Sequence, residues 1–145
     1  MGTTDFVHIQ CQSEYSVKNS LIRVSKLIES VKKSGMTSVA LTDEMSLFSA
    51  IKFYQKATSE GIKPIIGAKI LVDSEFGSYN VLLLCQNHEG YLNLSELLSK
   101  AYLNEQGISS VSVTEEQLIF HEKGLIMVAT SVNSDIAQLL LLNEN

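Results

Sequence analysis

Apolar positions along this chain follow two periods. From Ser20 to Ser34 they recur at helical spacing, with Leu21, Val24, Leu27, Ile28 and Val31 on one stripe and Lys26, Glu29, Lys32 and Lys33 opposite. Asn19 or Ser20 can cap this helix, and Gly35 stands where a glycine ends one. A second helix is predicted from Ser46 to Ser59, with Leu47, Ala50, Ile51 and Tyr54 inward and Gly61 beyond it. A third runs from His88 to Leu103 behind Asn87, turning Tyr91, Leu94, Leu97, Leu98 and Ala101 to the core. Thr114-Glu115-Glu116-Gln117 has capping-box spacing and opens a short helix to about His121, and Ser134 to Leu142 reads as a closing helix. His88 and His121 fall on helix positions expected to be exposed.

Shorter apolar runs separate these helices. Phe6 to Ser16 begins as a strand, on which His8, Gln10 and Gln12 form one polar row. Val39 to Leu41 is a buried strand leading into Thr42, Asp43 and Glu44. Ile62 leads into a strand ending near Val72, with Pro64, the only proline, at its start. Tyr79 to Cys85 pairs with it as a hairpin across the turn Asp73 to Ser78, and Gly124 to Ala129 is the last strand. Asn104 to Val113 is a polar loop. The order is α/β, a mainly parallel sheet with right-handed crossovers and one hairpin, and no domain boundary stands out.

The bulk numbers narrow the function. The chain has 145 residues, 45% hydrophobic and 19% charged, which suits a globular domain with a core. Eleven Lys and Arg against sixteen Asp and Glu give a net charge of −5, and Lys32-Lys33 is the only adjacent basic pair. Such a chain is not expected to bind DNA by itself, because phosphate contacts need clustered cations. Cys11 and Cys85 match no metal-ligand spacing and read as reduced thiols, and nothing suggests a signal peptide or a membrane span, so a cytoplasmic protein is expected. No glycine-rich phosphate loop is present, and Ser13, Ser16 and Ser49 lack His and Asp partners at triad spacing.

In parallel α/β sheets, sites gather beyond the C-terminal ends of strands. Here those places are His8 to Gln12, Asp43-Glu44, Ala68-Lys69 and Thr130-Ser131. The same places carry a resemblance. His8 through Ser16, with Ser13-Glu14-Tyr15-Ser16 intact, resembles the His-x-His-x-His-Ser-Glu-Tyr-Ser opening of the polymerase and histidinol phosphatase (PHP) domain at the N-terminus of bacterial DNA polymerase III alpha subunits. Ala40-Leu41-Thr42-Asp43 resembles that family's Ala-Leu-Thr-Asp-His-Gly, with Glu44 and Met45 in the last two places. Gly61 to Gly67 matches its Gly-Ile-Lys-Pro-Ile-Ile-Gly, with Lys69 where the metal-binding Glu stands. Asn87, Gly90, Tyr91, Asn93 and Leu94 fit its Asn-x-x-Gly-Tyr-x-Asn-Leu, Gly124-Leu125-Ile126 continues the match, and Ala129-Thr130-Ser131 replaces Ser-Gly-Cys.

The resemblance implies part of a distorted β/α barrel: residues 1–145 as the N-terminal portion of a single PHP domain, with the remainder and the polymerase domains absent. It implies vestigial metal-site positions at His8, Gln10, Gln12, Asp43, Glu44, Lys69 and Ser131. His8 and Asp43 keep the family's residue types, and Lys69 puts a fixed positive charge where a cation would sit. An ion pair of a lysine with Asp43 or Glu44 is then expected in place of a metal. No catalytic residue, metal or cofactor is expected in this stretch, although the parent would be a DNA-directed DNA polymerase, a nucleotidyltransferase of DNA replication. The implied partners are the rest of the alpha subunit and the proofreading exonuclease subunit. Self-association through an exposed edge is also expected, since Gly124 to Ala129 and Leu139 to Leu142 are apolar. Two rival readings stand beside this scaffold. One is an active metal-dependent PHP phosphoesterase or 3′-5′ exonuclease, completed by ligands beyond residue 145. The other is a free-standing, doubly wound small-molecule domain.

Overall fold

The first helix, α1, spans Val24–Lys33 and buries Val24, Leu27, Ile28 and Val31 in a computed structural model that describes residues 6–75, 77–104 and 111–129. Ser131 and the expected helix from Ser134 to Leu142 lie outside the described residues. α1 starts later than its apolar spacing predicts, because both candidate caps are engaged elsewhere. The Ser20 hydroxyl donates to the Gln12 carbonyl at 2.7 Å, and the Asn19 amide donates to Glu44 Oε2. Leu21, expected on the core stripe, is therefore left 92% exposed.

β1 spans Ser38–Glu44 and is buried throughout except at its ends. It runs on through Thr42 and Asp43, so both carboxylates stand in the strand and not in a loop beyond it. α2 spans Ala50–Ser59 and buries Ala50, Phe53 and Ala57. Ile51 and Tyr54, expected inward, are exposed. The segment offers two apolar stripes, and the one chosen seats Phe53 fully while sparing the Tyr54 hydroxyl a buried partner. Phe53 and Ala57 join α1, Val39, Leu41 and Ile62 in one apolar core, with Cys11 and Met36 against its margin.

The segment from Phe6 to Gln12 is extended but forms no regular strand. Ala40 N–H donates to the His8 carbonyl at 2.8 Å and Thr42 N–H to the Cys11 carbonyl at 2.7 Å. A step of two residues on β1 thus faces a step of three on the segment, the offset that a bulge introduces. That extra residue breaks the two-residue alternation, so His8 and Gln10 are exposed while Gln12 is half-buried.

β2 spans Lys63–Ser74. The chain divides into two compact units within it, residues 1–68 and 69–145. The division falls inside a continuous strand and not in a linker, which is why no boundary is legible in the sequence. In the first unit Lys63 N–H donates to the Thr37 carbonyl at 2.8 Å, just ahead of β1.

In the second unit β3, Gly77–Cys85, follows β2 through a connection short enough to require antiparallel strands, the expected hairpin. Asp73 anchors the turn, accepting from the Ser112 and Ser78 hydroxyls, and these bonds hold its carboxyl below the usual range. α3 spans His88–Asn104 and buries Leu94, Leu97, Leu98 and Ala101 as expected. β4, Val113–Thr114, pairs parallel with β2 at Val72 and Asp73. α4, Glu115–Phe120, opens on the full capping box between Thr114 and Gln117. β5, Leu125–Ala129, runs antiparallel to β3, with Met127 opposite Leu83. The α/β class is as expected, and β3–β5 adds an antiparallel pair beyond the single hairpin.

One charge cluster in the first unit sets a pH dependence. Glu60, just past α2, holds Lys32 of α1 at 2.7 Å and Lys56 of α2 at 2.6 Å, and these bonds lower its carboxyl from 4.5 to about 2. A carboxyl depressed on folding contributes stability above its ordinary value and loses it as pH falls through the folded one. Urea midpoints should therefore fall more steeply between pH 4.5 and about 2 in the native chain than in Glu60→Gln. The difference should shrink with added salt, because the cluster is exposed. Identical acid profiles for the two chains would show that the cluster stabilises nothing.

Candidate functional site

β1 carries Asp43 into the interior, where it is only 1% exposed. A carboxylate there needs donors on every lone pair, since an unpaired charge in a low-dielectric setting is costly. The loop after the extended N-terminal segment supplies most of them. Ser13 donates twice, its N–H to Oδ1 at 2.6 Å and its hydroxyl to Oδ2 at 2.7 Å. The Ser16 hydroxyl donates to Oδ1 at 2.8 Å, and the Ser49 hydroxyl, ahead of α2, donates to Oδ2. Ser13, Ser16 and Ser49 are all buried. The hydroxyls themselves accept in turn, Ser16 from Glu44 N–H at 3.0 Å and Ser13 from Tyr15 N–H at 3.3 Å.

This cage closes the loop on itself. Glu14 N–H donates to the Ile22 carbonyl at 2.9 Å, and Asn19 and Ser20 N–H both donate to the Ser16 carbonyl. Glu44 is half-buried and takes the Asn19 amide. Immediately after it Met45 adopts φ +47°, a left-handed conformation that costs a non-glycine residue about 1 kcal/mol. This is the position where the resembling family segment has glycine; here a buried side chain stands in the left-handed conformation.

The expected site residues are thus distributed unevenly. Asp43 and Glu44 come together with Ser13, Ser16, Asn19 and Ser49. His8 and Gln10 stay at the surface, the His8 ring meeting Phe6 edge-on at 4.8 Å. Gln12 contributes its carbonyl to Ser20. Lys69 is half-buried in the second unit, and Ser131 lies outside the described residues. Within the first unit, among the described residues, Asp43 takes hydroxyl and backbone amide donors and Glu44 the Asn19 amide, and no lysine of that unit pairs with either. Nor do three or more His, Cys, Asp or Glu side chains converge among the described residues as a metal ion would need.

The serines were visible in the sequence only as unsupported nucleophile candidates. The signal that marks them is the intact Ser13-Glu14-Tyr15-Ser16 stretch, whose two serines both reach the aspartate. Cys11 and Cys85 are half-buried free thiols. Burial raises both, Cys85 to about 11, which suits inert side chains and not nucleophiles.

A second polar cluster in the second unit was missed. His121, expected at the surface, is 2% exposed. Its Nδ1–H donates to the Gln117 carbonyl at 2.7 Å, which leaves Nε2 to accept from Lys100 at 3.2 Å. Lys100 also holds Glu96 at 2.7 Å and lies over the Phe120 ring at 5.4 Å. The cluster is a clamp between α3 and α4. The Asn87-to-Leu94 segment is a docking device too. Asn87 Oδ1 accepts Gly90 N–H at 2.9 Å, Gly90 lies against the Gly124 backbone, and Asn93 donates to the Lys123 carbonyl at 2.8 Å.

Comparison with known proteins fits this geometry into a family. A family model for the PHP domain matches residues 8–145. The chain is 33% identical to the DNA polymerase III subunit alpha of Pseudomonas fluorescens over 139 residues, covering 94% of this chain and 12% of that protein. It is 35% identical to the Vibrio cholerae subunit over 144 residues and 36% identical to that of Pseudomonas aeruginosa over 142, again 12% of each. The chain thus spans about an eighth of the curated relatives' length. Among solved structures, a putative metal-dependent phosphoesterase from Bifidobacterium adolescentis superposes with TM-score 0.55 at 18% identity, over 67% of this chain and 33% of that one. An amidohydrolase from Chromobacterium violaceum gives TM-score 0.54 at 15% identity, over 66% and 32%. These two share the fold. With its model matched from His8 onward and polymerase relatives aligned along nearly all its length, the chain belongs to the PHP domain family.

Proposed function

We propose that this chain is the PHP region of a bacterial replicative DNA polymerase alpha subunit and serves there as a scaffold, without a phosphoesterase centre of its own. The observation that carries the reading is the state of Asp43. A carboxylate has about four acceptor sites, and here Ser13, Ser16 and Ser49 engage both oxygens through four donors. A metal-dependent phosphoesterase needs aspartate and histidine lone pairs aimed at cations. In this chain the aspartate holds a loop in place, and His8 is at the surface. Within this reading the partners are the rest of the alpha subunit and its proofreading exonuclease, and the location is the cytoplasm. A net charge of −5 argues against DNA binding by this stretch alone.

Metal titration of the full, untagged chain tests the proposal. Calorimetric addition of Zn²⁺ or Mn²⁺ should give no stoichiometric binding. One equivalent held with submicromolar affinity, and lost in Asp43→Asn, would establish a working metal centre and overturn the scaffold reading.

A further inference from the structure

His121 follows α4 directly, and its ring is buried. The two ring nitrogens play opposite hydrogen-bond roles. Nδ1 lies 2.7 Å from the Gln117 carbonyl, which can only accept, so Nδ1 carries a proton. Nε2 lies 3.2 Å from the Lys100 ammonium, which can only donate, so Nε2 offers its lone pair and the ring is neutral.

A second group stands beside the same nitrogen. Glu96 Oε1 is 3.7 Å from Nε2, beyond hydrogen-bond distance, and 2.7 Å from Lys100 Nζ. Glu96 and Lys100 are one turn apart on α3, so Nε2 faces an anion and a cation from one helix. Among the described residues these two are the charged groups that face the ring. Glu115, at the start of α4, is turned to the Tyr79 hydroxyl of β3 at 3.2 Å, and Lys123 to Glu89 at 2.8 Å. Glu116 and Glu122 are exposed. Lys100 first, and His121 after it, hold the Glu96 carboxyl below its usual range, so it stays ionised beside the ring.

We propose that His121 is a proton-operated switch at the α3–α4 contact: neutral, it accepts from Lys100, and protonated, it donates from Nε2 to Glu96 instead. Nε2 takes the proton from water. That proton occupies the lone pair Lys100 uses and sets two cations 3.2 Å apart, so the ammonium leaves the ring. A buried imidazolium needs a counter-charge. Glu96 Oε1 supplies it after moving about 0.9 Å closer, to the distance of a charge-assisted bond. The Nδ1–H bond to the Gln117 carbonyl is the same in both states, so the ring does not turn over and α4 stays docked. What changes is Lys100, whose ammonium lies over the Phe120 ring at 5.4 Å in the neutral state and is freed in the charged one. Histidine is the side chain that changes charge between about pH 5 and 8, so mild acidification drives the exchange.

Histidine ring NMR on the full chain, titrated from about pH 8 to 5, tests this. His8→Gln and His88→Gln, both surface changes, assign the His121 signals by elimination among the three histidines. At the alkaline end the ring nitrogens should report the Nδ1–H tautomer. The Lys100 side-chain methylene signals should lose the Phe120 ring shift with the same midpoint as the His121 ring. Glu96→Gln should lower that midpoint, because the cation loses its counter-charge, and Lys100→Met should raise it, because the neutral ring loses its donor and the charged ring a neighbouring cation. Both side chains are partly exposed, so both variants should fold. An Nε2–H tautomer at the alkaline end overturns the proposal, and so does a midpoint that Glu96→Gln fails to lower.

Discussion

Replacing Gly90 by alanine is expected to remove about 3 kcal/mol of stability or more, at the upper end of what overpacking costs. A Cβ on Gly90 would stand 1.8 Å from the Gly124 carbonyl oxygen and 2.5 Å from its carbon. Both are backbone atoms, so no rotamer change relieves the clash. Gly124 cannot retreat easily, because its carbonyl accepts Gln86 N–H at 2.9 Å and the preceding Lys123 carbonyl accepts the Asn93 amide at 2.8 Å. Its own φ of +73° fixes the turn into β5. The start of α3 must therefore lift away from the turn. Gly35→Ala is the contrast: its φ of +71°, which Gly90 does not share, carries some backbone strain, but the added atom has nothing within 4 Å, and the change should cost only about 1 kcal/mol. Urea denaturation followed by far-ultraviolet circular dichroism gives both values, and amide exchange should report loss of protection in the first turn of α3 and in β5. Equal, small losses in the two variants would show that the contact between Gly90 and Gly124 is loose.

This contact also shows what a sequence reveals and what it leaves out. The Asn87-to-Leu94 segment was recognisable as a motif, and α3 was placed to within a residue from its apolar spacing. What the motif does, laying a glycine on a distant glycine, depends on a contact 34 residues away that no local pattern encodes. α4 was legible because its capping box is local, and Thr114 and Gln117 satisfy each other within one turn. α1 was misplaced at its start for the opposite reason. Asn19 and Ser20 are good caps by type, but tertiary partners, Glu44 and the Gln12 carbonyl, outcompete the helix for them. α2 was rotated because Ala50, Ile51, Phe53, Tyr54 and Ala57 allow two stripes, and only the cavity left by α1 and β1 chooses between them. His121 looked like a surface residue on a short helix, and its burial follows from Lys100 and Gln117 closing over it.

The candidate site was half legible in the same sense. Asp43 and Glu44 were singled out by position, yet the chemistry that surrounds Asp43 comes from Ser13 and Ser16, about thirty residues earlier in the chain, and from Ser49 just after it. Serine is a weak signal by type, since it serves equally in turns and caps. Lysine at position 69 suggested an ion pair. Hydroxyls do that work here, neutralising the aspartate's lone pairs without adding a second charge to desolvate.

That arrangement predicts an ordered series at Asp43. Asp43→Ala should cost about 3–5 kcal/mol, because it strips four donors of their acceptor in a buried place. The Ser13 N–H is the worst of these: it cannot rotate, and its segment has no strand ladder to fall back on. Asp43→Asn should cost far less, about 1–2 kcal/mol. Its carbonyl oxygen can take the place of Oδ1 toward Ser13 N–H and Ser16, while its amide faces the Ser13 and Ser49 hydroxyls, which can turn to accept. The asymmetry follows from the donor set, since only one of the four donors is fixed in direction. The Asp43→Ala chain should also loosen the loop from Ser13 to Ile22, whose remaining ties are the Glu14–Ile22 backbone bond, the Ser20 hydroxyl on the Gln12 carbonyl, the Asn19 amide on Glu44 and the Lys52–Glu14 ion pair. Limited proteolysis should then cut within that loop, near Tyr15 to Leu21, in Asp43→Ala and not in Asp43→Asn. Should the two variants lose the same stability and be cut alike, the charge itself would matter at Asp43, not its hydrogen bonds, and a role for that carboxylate toward a cation would return.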